Sequence, residues 1–131
     1  MDEATVKTLT ESGWTEDREF DIQPYLDAFE KEKIEPLPNV LEFLKSFGDL
    51  KIYEGLYEEI HFDPIRAIAS SSMKHMEYYE RLGKRQLCPV GLGRHGNRLL
   101  LMDAKGKTYG TFDLFFLCYG EDLDQFLRRS K

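Results

Sequence analysis

The sequence predicts an α+β fold, with N-terminal helices packed on a curved, mainly antiparallel sheet and a closing C-terminal helix. Three observations carry this. Apolar residues recur at helical spacing as far as Phe47, alternate or cluster in short glycine-punctuated runs from Leu50 onward, and return to helical spacing after Asp122. Helices followed by meandering strands are the pattern of segregated rather than alternating layers.

Element by element, Val6 and Leu9 share a helical face that ends at Gly13, with Trp14 placed to pack back on it. Ile22, Tyr25, Leu26 and Phe29 form a second apolar stripe, and Pro24 is tolerated in its first turn. Pro36 and Pro38 break the chain. Asn39 is then an expected N-cap for a helix carrying Val40, Leu41, Leu44 and Phe47, and Gly48 is expected in a left-handed C-terminal conformation. Leu50, Ile52, Leu56, Ile60 and Phe62 read as a hairpin turning near Gly55. Met73, Met76, Tyr78, Tyr79 and Leu82 fit a helix stopped by Gly83. Strands come next at Leu87 to Leu92, Arg98 to Asp103 and Lys107 to Phe112, the last two joined through Gly106. Asp122 caps a final helix bearing Leu123, Phe126 and Leu127, with Arg128, Arg129 and Lys131 at its negative end.

The 131 residues, 41% hydrophobic and 32% charged, describe one domain spanning 1–131, large enough to fold without disulfide or metal. The longest apolar run, Leu114 to Tyr119, has six residues, far short of the ~20 that span a bilayer. The acidic N-terminus lacks the pattern of a secretory signal, and the dispersed Cys88 and Cys118 suit a reducing cytoplasm. A net charge of −6 argues against direct nucleic-acid binding. Its distribution is uneven: Met1 to Arg66 holds 17 Asp and Glu against 7 Lys and Arg, whereas the remainder holds 7 against 11. An acidic half either serves solubility or faces a basic partner.

No enzymatic machinery is expected. Gly91, Gly93 and Gly96 spell G-x-G-x-x-G, but the residues after Gly96 read as a strand, so no helix N-terminus is expected to face a phosphate. Cys88 and His95 are the residue types of a nucleophile and its base, yet Cys88 sits between Leu87 and Pro89 and reads as a small buried hydrophobe. His61, His75 and His95 lack metal-ligand spacing, and His61, between Ile60 and Phe62, is expected to point outward. Glu58, Glu59 and Asp63 read as a solvated hairpin face. Tyrosines interleaved with acidic residues, among them Tyr53 and Tyr57, suit a protein interface.

Several phrases stand in order along the chain: Ser12-Gly13-Trp14 followed by Arg18 and Asp21; Gly48-Asp49-Leu50; Ile60-His61-Phe62-Asp63-Pro64; Leu87-Cys88-Pro89-Val90-Gly91; and Met102-Asp103 before Gly106, Tyr109 and Gly110. Together they resemble the third family of the SUKH (Smi1/Knr4-like) immunity-protein superfamily, over nearly the whole chain. The resemblance implies helices on a curved antiparallel sheet. It also implies a cytoplasmic bacterial antidote that binds and neutralises a cognate toxin of a polymorphic toxin system, many of which attack nucleic acids. The alternative it leaves is a non-catalytic interaction scaffold of the same fold. No catalytic, cofactor or metal residues come with it. Gly13, Trp14, Gly48, Asp63, Pro64, Pro89 and Gly91 are expected to fix the fold. The contact surface is expected on the acidic, tyrosine-bearing hairpin, at Tyr53, Glu54, Tyr57, Glu58 and Glu59, joined by Asp17, Glu19 and Asp21. The partner would be a basic toxin domain and the free protein a monomer.

Overall fold

A computed structural model of the chain describes all residues apart from 54–58, 84, 113 and 130–131, and apart from the side chains of residues 95 and 129. Three helices come first: α1 (Glu3–Glu11), α2 (Gln23–Lys31) and α3 (Pro38–Phe47). Strands β1 (Lys51–Tyr53) and β2 (Glu59–His61) lead into α4 (Pro64–Ile68), a 3-10 turn at Ser71–His75 and α5 (Met76–Gly83). The chain closes with β3 (Cys88–Gly93), β4 (Arg98–Met102), β5 (Thr108–Phe112), β6 (Phe115–Gly120) and α6 (Leu123–Arg129). The six strands form one sheet in sequence order, each antiparallel to the next. Both the α+β class and the closing helix stand as the sequence predicts. The turn expected near Gly55 lies outside the described residues.

Helix α1 is capped by the Asp2 carboxylate, which accepts from the Thr5 N–H at 2.8 Å. It ends as Gly13 predicts. With Gly13 at φ 101°, its N–H reaches the Thr10 carbonyl and the Trp14 N–H reaches back to the Leu9 carbonyl at 2.9 Å. These are the two bonds of a Schellman ending, and they swing Trp14 over the helix it follows. The buried stripe of α1 is Thr5 and Leu9, one turn apart, rather than Val6 and Leu9, since Val6 is exposed.

Two expectations for α3 are corrected. Leu37 takes the N-cap position and Pro38 the first turn, so Asn39 falls inside the helix and its Nδ2 instead donates to the Asp103 carbonyl at 2.9 Å. Gly48 has φ −56°, and the left-handed residue is Asp49 at φ 62°. Gly48 is required for another reason. A Cβ there would meet the Leu44 carbonyl oxygen and the rings of Phe20 and Tyr25.

The sheet carries helices on both faces. Helices α1, α2, α3 and α6 cover a core that includes Phe29, Leu44, Ile52, Phe62, Leu100 and Phe126. On the opposite face α4 and α5 cover a second core in which Tyr79 meets Leu99, Leu101 and Tyr109. Of this second layer the sequence predicts only the helix carrying Met73 to Leu82, which in the structure is a 3-10 turn leading into α5, while α4 is an additional helix. A sheet covered on both sides has no wet face, so every residue of β3 and β4 is buried and period-two alternation disappears. The register of β3 on β4 shifts between Pro89 and Gly91, an irregularity that brings Gly91 against Leu100. Gly91 also lets β2 approach, because a side chain there would collide with the His61 carbonyl oxygen. Strand β6 is the strand the sequence reading did not assign; its signal was the six-residue run from Leu114 to Tyr119.

Candidate partner-binding surface

In a sequential antiparallel sheet, alternate turns fall at the same end. The strand ends at Tyr53 and Glu59, the turn at Arg94–Gly96 and the β5–β6 turn therefore share one end, while the Asp103 turn lies at the other. Tyr53 and Glu59 pair across β1 and β2 at that shared end, and Tyr53 is 65% exposed. Glu54, Tyr57 and Glu58 lie outside the described residues.

A polar chain braces this hairpin. The Arg66 Nη1 group lies 3.3 Å from Glu59 Oε1 and 2.7 Å from His61 Nδ1, and His61 Nε2 lies 2.8 Å from Asp49 Oδ1. Arginine only donates, so His61 Nδ1 accepts and its Nε2–H donates to Asp49. His61 is buried rather than outward-pointing, because β2 lies inside the sheet with β3 beside it. Ligand-type atoms of Asp49, His61 and Asp63 lie within 4.8 Å of one another, which raises the question of a cation. The bonds answer it otherwise. Both ring nitrogens of His61 are engaged, and Asp63 caps α4 by accepting from the Ile65 N–H at 2.9 Å. These residues tie β1, β2 and α4 together, and Glu59, half-buried against Arg66, belongs as much to the brace as to the exposed surface.

Asp17, Glu19 and Asp21 lie elsewhere. Their loop is pinned by Arg18, which donates to the carbonyls of Ser46 at 2.8 Å and Gly48 at 2.6 Å, so it sits beside the entry of β1 rather than its exit. All three are exposed, and Asp21 accepts from the Gln23 N–H at the start of α2. Among the described residues, Asp17, Glu19 and Asp21 thus lie apart from Tyr53 and Glu59 of the hairpin.

The glycine motif and Cys88 have structural roles, and the side chain of His95 lies outside what is described. Gly93 ends β3, a single 3-10 turn comes after it, and β4 begins directly, so the glycine motif opens no helix. Cys88 is fully buried, and that burial pushes its thiol up to about 12, leaving it protonated at neutral pH. Cys88→Ala is accordingly expected to keep partner binding and lower stability by about 1 kcal/mol, checked by thermal melting alongside a binding assay.

What the sequence reading missed is an apolar surface. Phe112, Leu114, Phe115 and Leu117 are all exposed around the β5–β6 turn, at the same sheet end as Tyr53. Among the described residues, no helix is long and apolar enough to cross a membrane.

In comparison with known proteins, the family model described as SUKH-3 immunity protein matches residues 1–129. No curated protein and no solved structure matches the chain.

Proposed function

Since this chain belongs to the SUKH-3 immunity protein family, we propose that it neutralises a cognate toxin in the bacterial cytoplasm by binding it one to one, with no chemistry of its own. The observation that carries this reading is the family match along 129 residues. The toxin is a basic domain acting on nucleic acid. Such a domain needs a positive groove to hold phosphates, and an acidic antidote occupies that groove or its rim. The contact comprises Tyr53, Glu54, Tyr57, Glu58 and Glu59, joined by Asp17, Glu19 and Asp21.

Charge at the rim of such a contact governs arrival, and buried tyrosine governs departure. Because Glu59 is paired with Arg66, its reversal would mix folding with binding. The test therefore reverses Glu54 and Glu58 to Lys in one variant and Asp17 and Glu19 to Lys in another. Each is expected to lower the association rate with the toxin domain encoded beside this gene by about tenfold at low salt and to flatten its salt dependence. Tyr57→Ala is expected mainly to raise the dissociation rate. Unchanged rates in all three variants, together with undiminished protection of toxin-expressing cells, would place the contact on another surface.

A further inference from the structure

A positive charge stands in the contact proposed for a basic partner. The Arg66 side chain is 40% exposed, and its Nη1 group lies 3.3 Å from the Glu59 carboxylate. A partner approaching Tyr53 and Glu59 therefore meets a guanidinium of its own sign, which slows arrival. An exposed ion pair of this kind also adds little stability. The geometry shows what Arg66 does instead.

Strands β1 and β2 have three residues each, and β1 is the outer strand of the sheet. Among the described residues, β2 pairs with β3 at one position, His61 opposite Leu92. Two strands this short are marginal without further support. Ile52 and Ile60, opposite each other, are buried in the first core and anchor the middle of the pair, whereas Tyr53 and Glu59 lie one step beyond them. Arg66 comes from a firmer base. Pro64 opens α4, the Asp63 carboxylate caps it, and Ala67 is buried in the second core. From that helix Arg66 Nη1 reaches Glu59, while His61 Nδ1, 2.7 Å away, fixes the guanidinium itself. Its Nη2 lies beside the neighbouring turn, where a Cβ at Gly96 would stand 3.7 Å from it. One side chain thus sets the place of the Tyr53–Glu59 pair relative to α4.

We infer that Arg66 is a positioning residue for the partner contact, acting through Glu59 to hold the Tyr53–Glu59 pair in its binding geometry before the partner arrives. This rests on the toxin-binding reading and deepens it. Contact groups that are already in place lose less freedom on binding, and releasing them shows mainly as faster dissociation. Charge alone predicts the reverse, because taking a cation out of an acidic contact speeds the arrival of a basic partner and strengthens its hold. The two roles therefore move dissociation in opposite directions.

The experiment compares the intact chain with Arg66→Met, which keeps a long stem without donors or charge, and with Arg66→Lys, which keeps the charge without the planar fork. The probe is a catalytically inactivated form of the toxin domain encoded beside the gene, with association and dissociation rates measured at several salt concentrations. Hydrogen exchange and melting temperature are recorded on each free chain. Arg66→Met is expected to dissociate at least about fivefold faster, even where low salt quickens its arrival, and Arg66→Lys to recover part of the difference. Exchange in β1 and β2 of free Arg66→Met should quicken while β4 keeps its protection. If the intact chain does not bind the probe, the toxin-binding reading fails and the positioning role falls with it. If the intact chain binds and Arg66→Met dissociates no faster, the positioning role alone is overturned. Faster dissociation with unchanged exchange in β1 and β2 would mean that Arg66 touches the partner directly, and this too overturns it. Exchange quickened equally in the hairpin and in β4, with a lowered melting temperature, would make Arg66 a general support of the fold and overturn it as well.

Discussion

Replacing Asp103 with alanine is expected to lower stability by about 3–5 kcal/mol, a large share of the ~5–15 kcal/mol that holds a domain together. The carboxylate is buried at the head of the β4–β5 turn and accepts from four donors. Oδ1 takes the N–H groups of Lys105 at 2.9 Å and Lys107 at 3.0 Å; Oδ2 takes Arg85 Nη1 at 2.8 Å and the Tyr109 hydroxyl at 3.0 Å. Its own carbonyl receives the Asn39 amide, so the turn is fastened to α3 as well. Truncation strands two backbone donors and one phenol in a site with no replacement acceptor. Asp103→Asn should do little better, because every partner is a donor and the amide nitrogen must face one of them. The same bonds set a pH dependence. Burial alone would raise the Asp103 pKa, but the bonds from Arg85, the two N–H groups and Tyr109 outweigh it and hold the carboxyl below its ordinary range. The folded pKa thus lies below the unfolded value of about 3.9, so this contribution is complete above that pH and is lost as pH falls through the folded value. Denaturant titrations from pH 7 to pH 2 should show a steeper acid loss for the unaltered chain than for Asp103→Ala. Equal slopes would mean the carboxylate is not the anchor the geometry describes.

Asp103 also shows where the sequence is legible and where it is not. Its place in a turn is visible from Gly106 and the flanking alternation, but its four partners are drawn from residues 85 to 109, and no local pattern announces that convergence. Helices α1 to α3 and the strands β3 to β5 can be read because their signals are local: a spacing, a proline, a glycine. Gly48 marks the limit. Glycine after a helix normally signals a left-handed residue, whereas here it is needed because Phe20 and Tyr25 close over it, a packing demand from distant sequence. Strand β6 was hidden by its composition, since an unbroken apolar run suggests a buried strand and this one borders solvent with Phe115 and Leu117 outward. That mismatch between pattern and burial is the mark of a surface kept apolar for something other than folding. His61 fails in the opposite direction: placed between Ile60 and Phe62 it reads as a surface residue, but β3 and Arg66 enclose it. The acidic half of the sequence was visible by counting, while the position of Asp17, Glu19 and Asp21 beside the start of β1 required knowing that Arg18 pins their loop to the end of α3.

Trp14→Ala is the second large effect expected, at about 3–5 kcal/mol, and here the sequence and the structure point to the same cause. Gly13 delivers Trp14 across the end of α1, where its ring stacks on Phe47 of α3 at 5.9 Å and its Nε1 donates to Ser46 Oγ at 3.0 Å. One side chain thus fixes the angle between the first helix and the helix that leads into the sheet. The loss divides into two parts that can be measured separately. Trp14→Phe keeps an aromatic ring against Phe47 but gives up the hydrogen bond and some volume, so it should cost markedly less than alanine. Ser46→Ala removes only the acceptor, leaving the indole N–H without its partner, and should cost about 1 kcal/mol. Because Arg18 binds the Ser46 and Gly48 carbonyls in the same segment, loosening α3 in Trp14→Ala should also free the loop bearing Asp17, Glu19 and Asp21. Hydrogen exchange at Arg18 and Phe20, whose N–H groups bond to Thr15 and Lys45, reports this directly. Faster exchange there than in β4, at a temperature where the variant remains folded, is the expected result. An unchanged melting temperature in Trp14→Ala would instead show that α1 is held by contacts other than its tryptophan.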